Sequence, residues 1–264
     1  MAEKNNRWSR KELLVAFHLY CQMPFGKMHK GNPEIIRLAG LIGRTPSSVA
    51  MKLVNFASLD PAITSTGRAG LGNASVGDQA IWNEFHKDWE QLALESKKAL
   101  DGLSKGVALS RSDDEELGGD LIQNYEGSTK AVMVEVRIKQ AFFRKTVLSS
   151  HQNRCCISGV QEPKLLIASH IVPWSEDKQN RLNPRNGLCL SALHDRAFDQ
   201  CLITVTPDYR VQVSKKLRSQ SANPMIDSAL IKMQDKKISL PEKFWPGEEF
   251  LSWHNRKFEE SQRD

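Results

Sequence analysis

The sequence predicts an α+β protein: an all-helical N-terminal half, then a C-terminal half in which short strands alternate with helices. Three observations carry this. Apolar residues recur at helical spacing over 10–56, acidic residues cluster with two glycines over 112–126, and short apolar runs over 164–214 end at Pro, Gly or Asn. The 264 residues suffice for two ordinary domains without staples. The expected division is a helical domain at 1–108, an acidic linker at 109–129 and a second domain at 130–264. Net charge is +6 and the isoelectric point about 9.0, which favours a polyanionic partner over an acidic small molecule. No run approaches the roughly 20 apolar residues of a membrane span. The polar first ten residues lack the build of a secretory signal, so the expected location is the cytoplasm, with no membrane partner. Five cysteines, an odd number without framework spacing, read as reduced thiols.

Ser9 is a plausible N-cap for a first helix, in which Leu13, Leu14, Phe17 and Tyr20 share a face. Pro33 opens a second helix carrying Ile35, Ile36, Leu38, Ala39 and Ile42, and Gly43 ends it. Thr45-Pro46-Ser47-Ser48 then leads into Val49, Leu53, Val54 and Phe56. Three helices with a short glycine-containing turn before the third outline a helix-turn-helix or winged-helix-like domain, with 46–55 as recognition helix. A plain helical bundle is the alternative. The stretch LIGRTPSSVAMKLVNF resembles the helix-turn-helix of many DNA-binding proteins. On that reading Ser47, Ser48, Lys52 and Asn55 face the groove and Arg44 meets phosphate. A long Gly/Ser/Thr-rich loop is expected over 58–78, and an amphipathic stretch over 79–100 whose Trp82, Phe85, Trp89 and Leu92 are spaced for core packing.

The second half opens with a basic helix over 130–149. Val134, Ile138, Ala141 and Phe142 are expected inside and Arg137, Lys139, Arg144 and Lys145 outside. KLLIASHIVPW, ending at Trp174, reads as a short buried strand closed by His170. NPRNGLCLSALHDRAFD follows over 183–199, and CLITVTPDYRVQVS over 201–214 reads as a hairpin around Pro207-Asp208. The tail, with Phe244 and Trp245 between Pro241 and Pro246, is expected to pack on this domain, and His254 to be core or surface.

His-Ile-Val-Pro, then Asn-Gly-Leu, then a helix with His and Asp before Phe-Asp resembles the HNH endonucleases, over roughly 155–214. The resemblance implies a ββα unit holding one divalent metal against a scissile phosphate, with His170 as general base. Neutral imidazole suits that role, being the side chain whose unperturbed pKa lies near working pH. In that family an Asn, here Asn186, fixes the loop that holds the base, and a helix ligand follows nine positions later, here Asp195. Asp199 lies one turn beyond on the same face. Oxygen ligands favour one Mg²⁺ or Mn²⁺ per site over Zn²⁺. His194 is a reserve ligand or phosphate donor, and Arg185 and Arg196 would hold flanking phosphates. Many members carry Asp or His immediately before the base, where this chain has Ser169, and the paired cysteines of a structural zinc are missing.

An N-terminal DNA reader joined to such a module resembles restriction enzymes, including those that cut cytosine-modified DNA. The implied partners are double-stranded DNA, methylated or not, and a second copy of the chain, because one ββα site cuts one strand. A transcriptional regulator with a degenerate HNH module and a phage or homing nicking endonuclease are the alternatives.

Overall fold

The computed structural model describes residues 7–67, 72, 74–104 and 127–263. The acidic stretch 112–126 and most of the expected linker lie outside them. One compact unit takes in Met1–Tyr20, Gly26–Leu59 and Ala69–Phe142, the other Cys21–Phe25, Asp60–Arg68 and Phe143–Asp264. No described helix is long and apolar enough to cross a membrane.

Phe17 is the hub of the first unit. It lies on α1 (Arg10–Cys21) and is fully buried, with the rings of Tyr20, Phe56, Trp82, Phe85 and Trp89 at centroid distances of 5.0 to 6.3 Å. Stacked and edge-on pairs of this kind add to plain area burial. Ser9 and Glu12 cap α1 reciprocally. Helix α2 (Pro33–Ile42) starts on the Asn32 cap and stops at Gly43, whose φ of 67° is left-handed. Thr45 caps α3 (Pro46–Ala57) by accepting from the Ser48 amide. Helix, turn and helix therefore stand where the pattern placed them.

The expected loop over 58–78 contains a helical turn, α4 (Pro61–Thr64), which belongs to the second unit. The amphipathic stretch after it is two helices, α5 (Val76–Lys87) and α6 (Trp89–Ser104). The break falls at Asp88, whose φ/ψ of −148°/86° is not helical and whose carboxylate accepts from the Gln91 amide. Apolar phase continues across that break, so periodicity alone reads one helix.

The second unit is organised by the end of α7 (Gly127–Ser150), which buries Phe143, Val147 and Leu148. Val134, expected inside, is exposed. Strands β1 (Leu166–His170) and β2 (Gly187–Ser191) pair antiparallel, with His170 opposite Gly187. Helix α8 (Ala192–Asp199) leaves β2 directly, completing a ββα arrangement. The hairpin β3 (Ile203–Val205) and β4 (Val211–Val213) follows. The short helices α9 (Lys215–Arg218) and α10 (Pro224–Ala229) lead to α11 (Glu248–Ser261), which packs on β3.

Two residues of the expected groove face are turned inward. Lys52 and Asn55 are buried, and the Lys52 ammonium lies 2.7 and 2.9 Å from the two carboxylate oxygens of Asp78. The reason is helical geometry: position 52 is three beyond Val49 and four before Phe56, both in the core. Ser47 and Met51 form the exposed face, with Ser48 at its edge. Arg44 is also corrected: its guanidinium is held by Glu12 at 2.8 and 3.1 Å and by the Arg7 carbonyl at 2.7 Å, and it lies over the Trp8 ring. Asp78 closes the α5 capping box as well. Lys52→Ala leaves this carboxylate buried and unpaired, and is expected to destabilise the protein by about 3–5 kcal/mol in urea unfolding. The double variant Lys52→Ala/Asp78→Ala should cost less than the sum of the single changes.

Candidate active site

Asn186 is the internal brace of the loop between β1 and β2. It is fully buried. Its side-chain oxygen accepts from the Val172 amide at 2.8 Å, and its amide donates to the carbonyls of Val172 at 3.1 Å and Asn180 at 3.3 Å. Its own carbonyl accepts from the Ile171 amide. Three main-chain groups of the loop after His170 thus depend on one side chain, and a carboxamide is the group that supplies both donor and acceptor. Asp177, Asn180 and Asn183 extend the brace: Asn180 bonds to Asp177, and Asn183 to Asn180.

The His170 ring is fixed by three contacts. Its Nε2–H donates to the Arg181 carbonyl at 2.8 Å; a carbonyl only accepts, so Nδ1 carries the lone pair. Phe143 from α7 stacks face to face on the ring at 3.9 Å and 7°, and Trp174 meets it edge-on at 5.6 Å. Burial pushes the imidazole below the ordinary histidine range, with the Arg181 carbonyl acting in the opposite sense. Burial thus favours the neutral form of this imidazole more than in an ordinary histidine. Gly187, opposite His170, makes room for this: a Cβ there would meet Val147 Cγ2 at 2.5 Å and Phe143 Cζ at 3.0 Å.

Asp195 and Asp199 lie one turn apart on α8. Partial burial raises the pKa of each; Ser169 and Arg196 act against this at Asp195, while at Asp199 the Asp195 charge raises it further and Arg196 lowers it. The two carboxylates therefore sense one another. Ser169 Oγ is buried without a well-formed hydrogen bond, although it is the polar group that most favours the Asp195 carboxylate. Among the described residues no three His, Cys, Asp or Glu side chains converge as a metal cluster. The donor set suits a hard cation such as Mg²⁺, which is commonly held by one or two carboxylates with water and substrate phosphate completing its shell.

His194, expected as a reserve ligand or phosphate donor, has both ring nitrogens engaged within the fold. It is buried, its Nε2–H donates to the Ala229 carbonyl at 3.0 Å, and its Nδ1 lies 2.7 Å from Ser191 Oγ. Ser191 is the N-cap of α8 but makes no side-chain cap bond, its hydroxyl being used on His194. Arg185 is exposed, with Nε 3.3 Å from the Trp245 carbonyl and a long 3.9 Å contact to Glu249. Arg196 is exposed on α8 beside the two aspartates. Arg144, expected outside, donates to the carbonyls of Leu166 and Pro163 and so ties α7 to the start of β1.

Phe143, Trp174 and Arg181 escaped the sequence reading. A motif pairs His170 with residues near it in sequence, whereas the Phe143 stack joins positions 27 apart, and only Trp174 and Arg181 lay within the motif's span.

Residues 155–206 match the model of the HNH endonuclease family, so the second unit carries an HNH endonuclease domain. None of the curated proteins matches the chain.

Two outcomes test this packing. Gly187→Ala is expected to destabilise the protein by about 1–3 kcal/mol through overpacking, measured by thermal or urea unfolding. His254 reports on pH. It stacks on Phe198 at 3.6 Å and lies 2.8 Å from Thr204 Oγ1, and burial brings its pKa down to about 4. Below the unfolded-state value the unfolded chain binds the proton first. Stability should therefore fall as pH drops from the ordinary histidine range towards 4, by about 1.4 kcal/mol per unit for this group. His254→Leu should flatten the slope by one proton in urea titrations across that window.

Proposed function

We propose that the protein is a metal-dependent DNA endonuclease in which His170 is the general base, with restriction of foreign DNA as its role. The observation that carries this is the His170 tautomer: Nε2–H is committed to the Arg181 carbonyl, leaving Nδ1 to accept a proton. A basic chain with net charge +6 suits a phosphodiester polymer. Asp195 and Asp199 would hold the ion, with Ser169 beside Asp195. A bound divalent ion supplies charge stabilisation at the phosphate and leaving oxygen. His170 takes the proton of the attacking water, Asn186 keeps the loop in place, Phe143 and Trp174 fix the ring plane, and Arg185 and Arg196 meet flanking phosphates.

Sequence choice belongs to the first unit in this reading. Ser47 and Ser48 remain on the outer side of α3, and readout of a cytosine methyl would rest on apolar contact in the major groove. Cutting of both strands requires two copies of the chain.

His170→Ala is expected to lower plasmid cleavage with Mg²⁺ or Mn²⁺ by about 10²–10⁴-fold while DNA binding in a mobility shift persists. An undiminished rate removes His170 from the mechanism. Asp195→Asn and Asp199→Asn should each abolish metal-dependent cleavage, and the Asp195 variant should weaken Mn²⁺ binding in calorimetry. Tight site-specific binding without nicking by the wild-type protein under any metal would favour a regulator instead. Plasmids with and without cytosine methylation test the restriction role: preferential cutting of the modified copy supports modification dependence, and equal cutting excludes it.

A further inference from the structure

The Arg181 side chain is built into the site by contacts that leave its cationic end available. Its Nε–H donates to the Trp174 carbonyl at 2.8 Å, and its guanidinium carbon lies 5.2 Å from the centroid of the Trp174 ring. The same indole meets the His170 ring at 5.6 Å. The base and the guanidinium are thus carried by one aromatic plate, and the Arg181 carbonyl is what orients the base. Asn186 secures the segment by bonding to the Asn180 carbonyl next door. Among the described residues Arg181 has no carboxylate partner. Arg44 differs in this respect, its charge being met by Glu12. A partly buried arginine anchored through Nε keeps two Nη groups in a fixed fork, the geometry that matches two phosphate oxygens.

We propose that Arg181 binds a substrate phosphodiester at the catalytic centre through its two Nη groups, and that its backbone carbonyl separately sets the His170 tautomer. The inference rests on the nuclease reading of this site and adds a residue to it. It makes the β1–β2 loop bifunctional: the main chain prepares the base and the side chain presents the phosphate to it. Side-chain and main-chain roles separate cleanly under mutation, since every substitution at 181 keeps the carbonyl.

The test uses the full chain and supercoiled plasmid with Mn²⁺. Arg181→Ala should lower the cleavage rate by about 100-fold, leave the pH dependence unmoved because His170 keeps its partner, and be partly rescued by added methylguanidinium. In a His170→Ala background, where DNA is bound without being cut, Arg181→Ala should reduce the salt dependence of binding by about one phosphate contact. Arg181→Lys keeps the charge but not the fork, so the salt dependence should persist while cleavage stays reduced. Melting midpoints close to wild type for the variants confirm that the loop is folded. Cleavage by Arg181→Ala within twofold of wild type, or an unchanged salt dependence, overturns the assignment. A pH profile displaced by Arg181→Ala without rescue also overturns it, showing that the side chain acts only through His170. Undiminished cleavage by His170→Ala would instead overturn the reading of the site.

Discussion

The hydrogen bonds of Asn186 are the constraint on which the candidate active site depends. A fully buried carboxamide costs free energy unless both its ends are satisfied. Here both are, by main-chain groups of the loop between β1 and β2. The loop in turn presents the Arg181 carbonyl that orients His170. The Asn186 bonds and the His170 contact are thus linked through one loop. Rigidity at the site therefore comes from one polar network inside a small unit, not from the extent of its sheet, which has two strands.

The second support is steric. Phe143 can lie flat on His170 because the residue opposite it is Gly187, where any side chain would collide with Val147 and Phe143 itself. The Asn-Gly pair has two physical duties, bonding by the first residue and space by the second. Arg144, next to Phe143 on α7, clamps the carbonyls of Leu166 and Pro163. One turn of helix thus registers against both ends of β1.

The buried histidines show how much environment decides. His170, His194 and His254 all donate from Nε2 to a main-chain carbonyl. His194 and His254 each have a hydroxyl on Nδ1 as well, from Ser191 and Thr204. His170 has none among the described residues, so its Nδ1 differs from those of the other two imidazoles. The same logic separates Arg44, paired with Glu12, from Arg181.

The ββα arrangement that carries the candidate site was legible in the sequence. His170 closes β1, Asn186 precedes β2 and Asp195 and Asp199 lie on α8, and Ser9 and Gly43 bound the first helices as expected, because caps and ββα spacing are short-range properties of the chain. Tertiary packing decided the rest. Lys52 and Asn55 are polar by type but lie on the core side of α3, and an ion pair with Asp78, 26 residues away, makes burial of the lysine tolerable. His194, read as a reserve ligand or phosphate donor, is buried, with its Nε2–H donated to the Ala229 carbonyl 35 positions on. Periodicity specifies which face a residue shares. Which partner satisfies a buried charge or lone pair is fixed only when distant segments meet, as at Lys52 and His194.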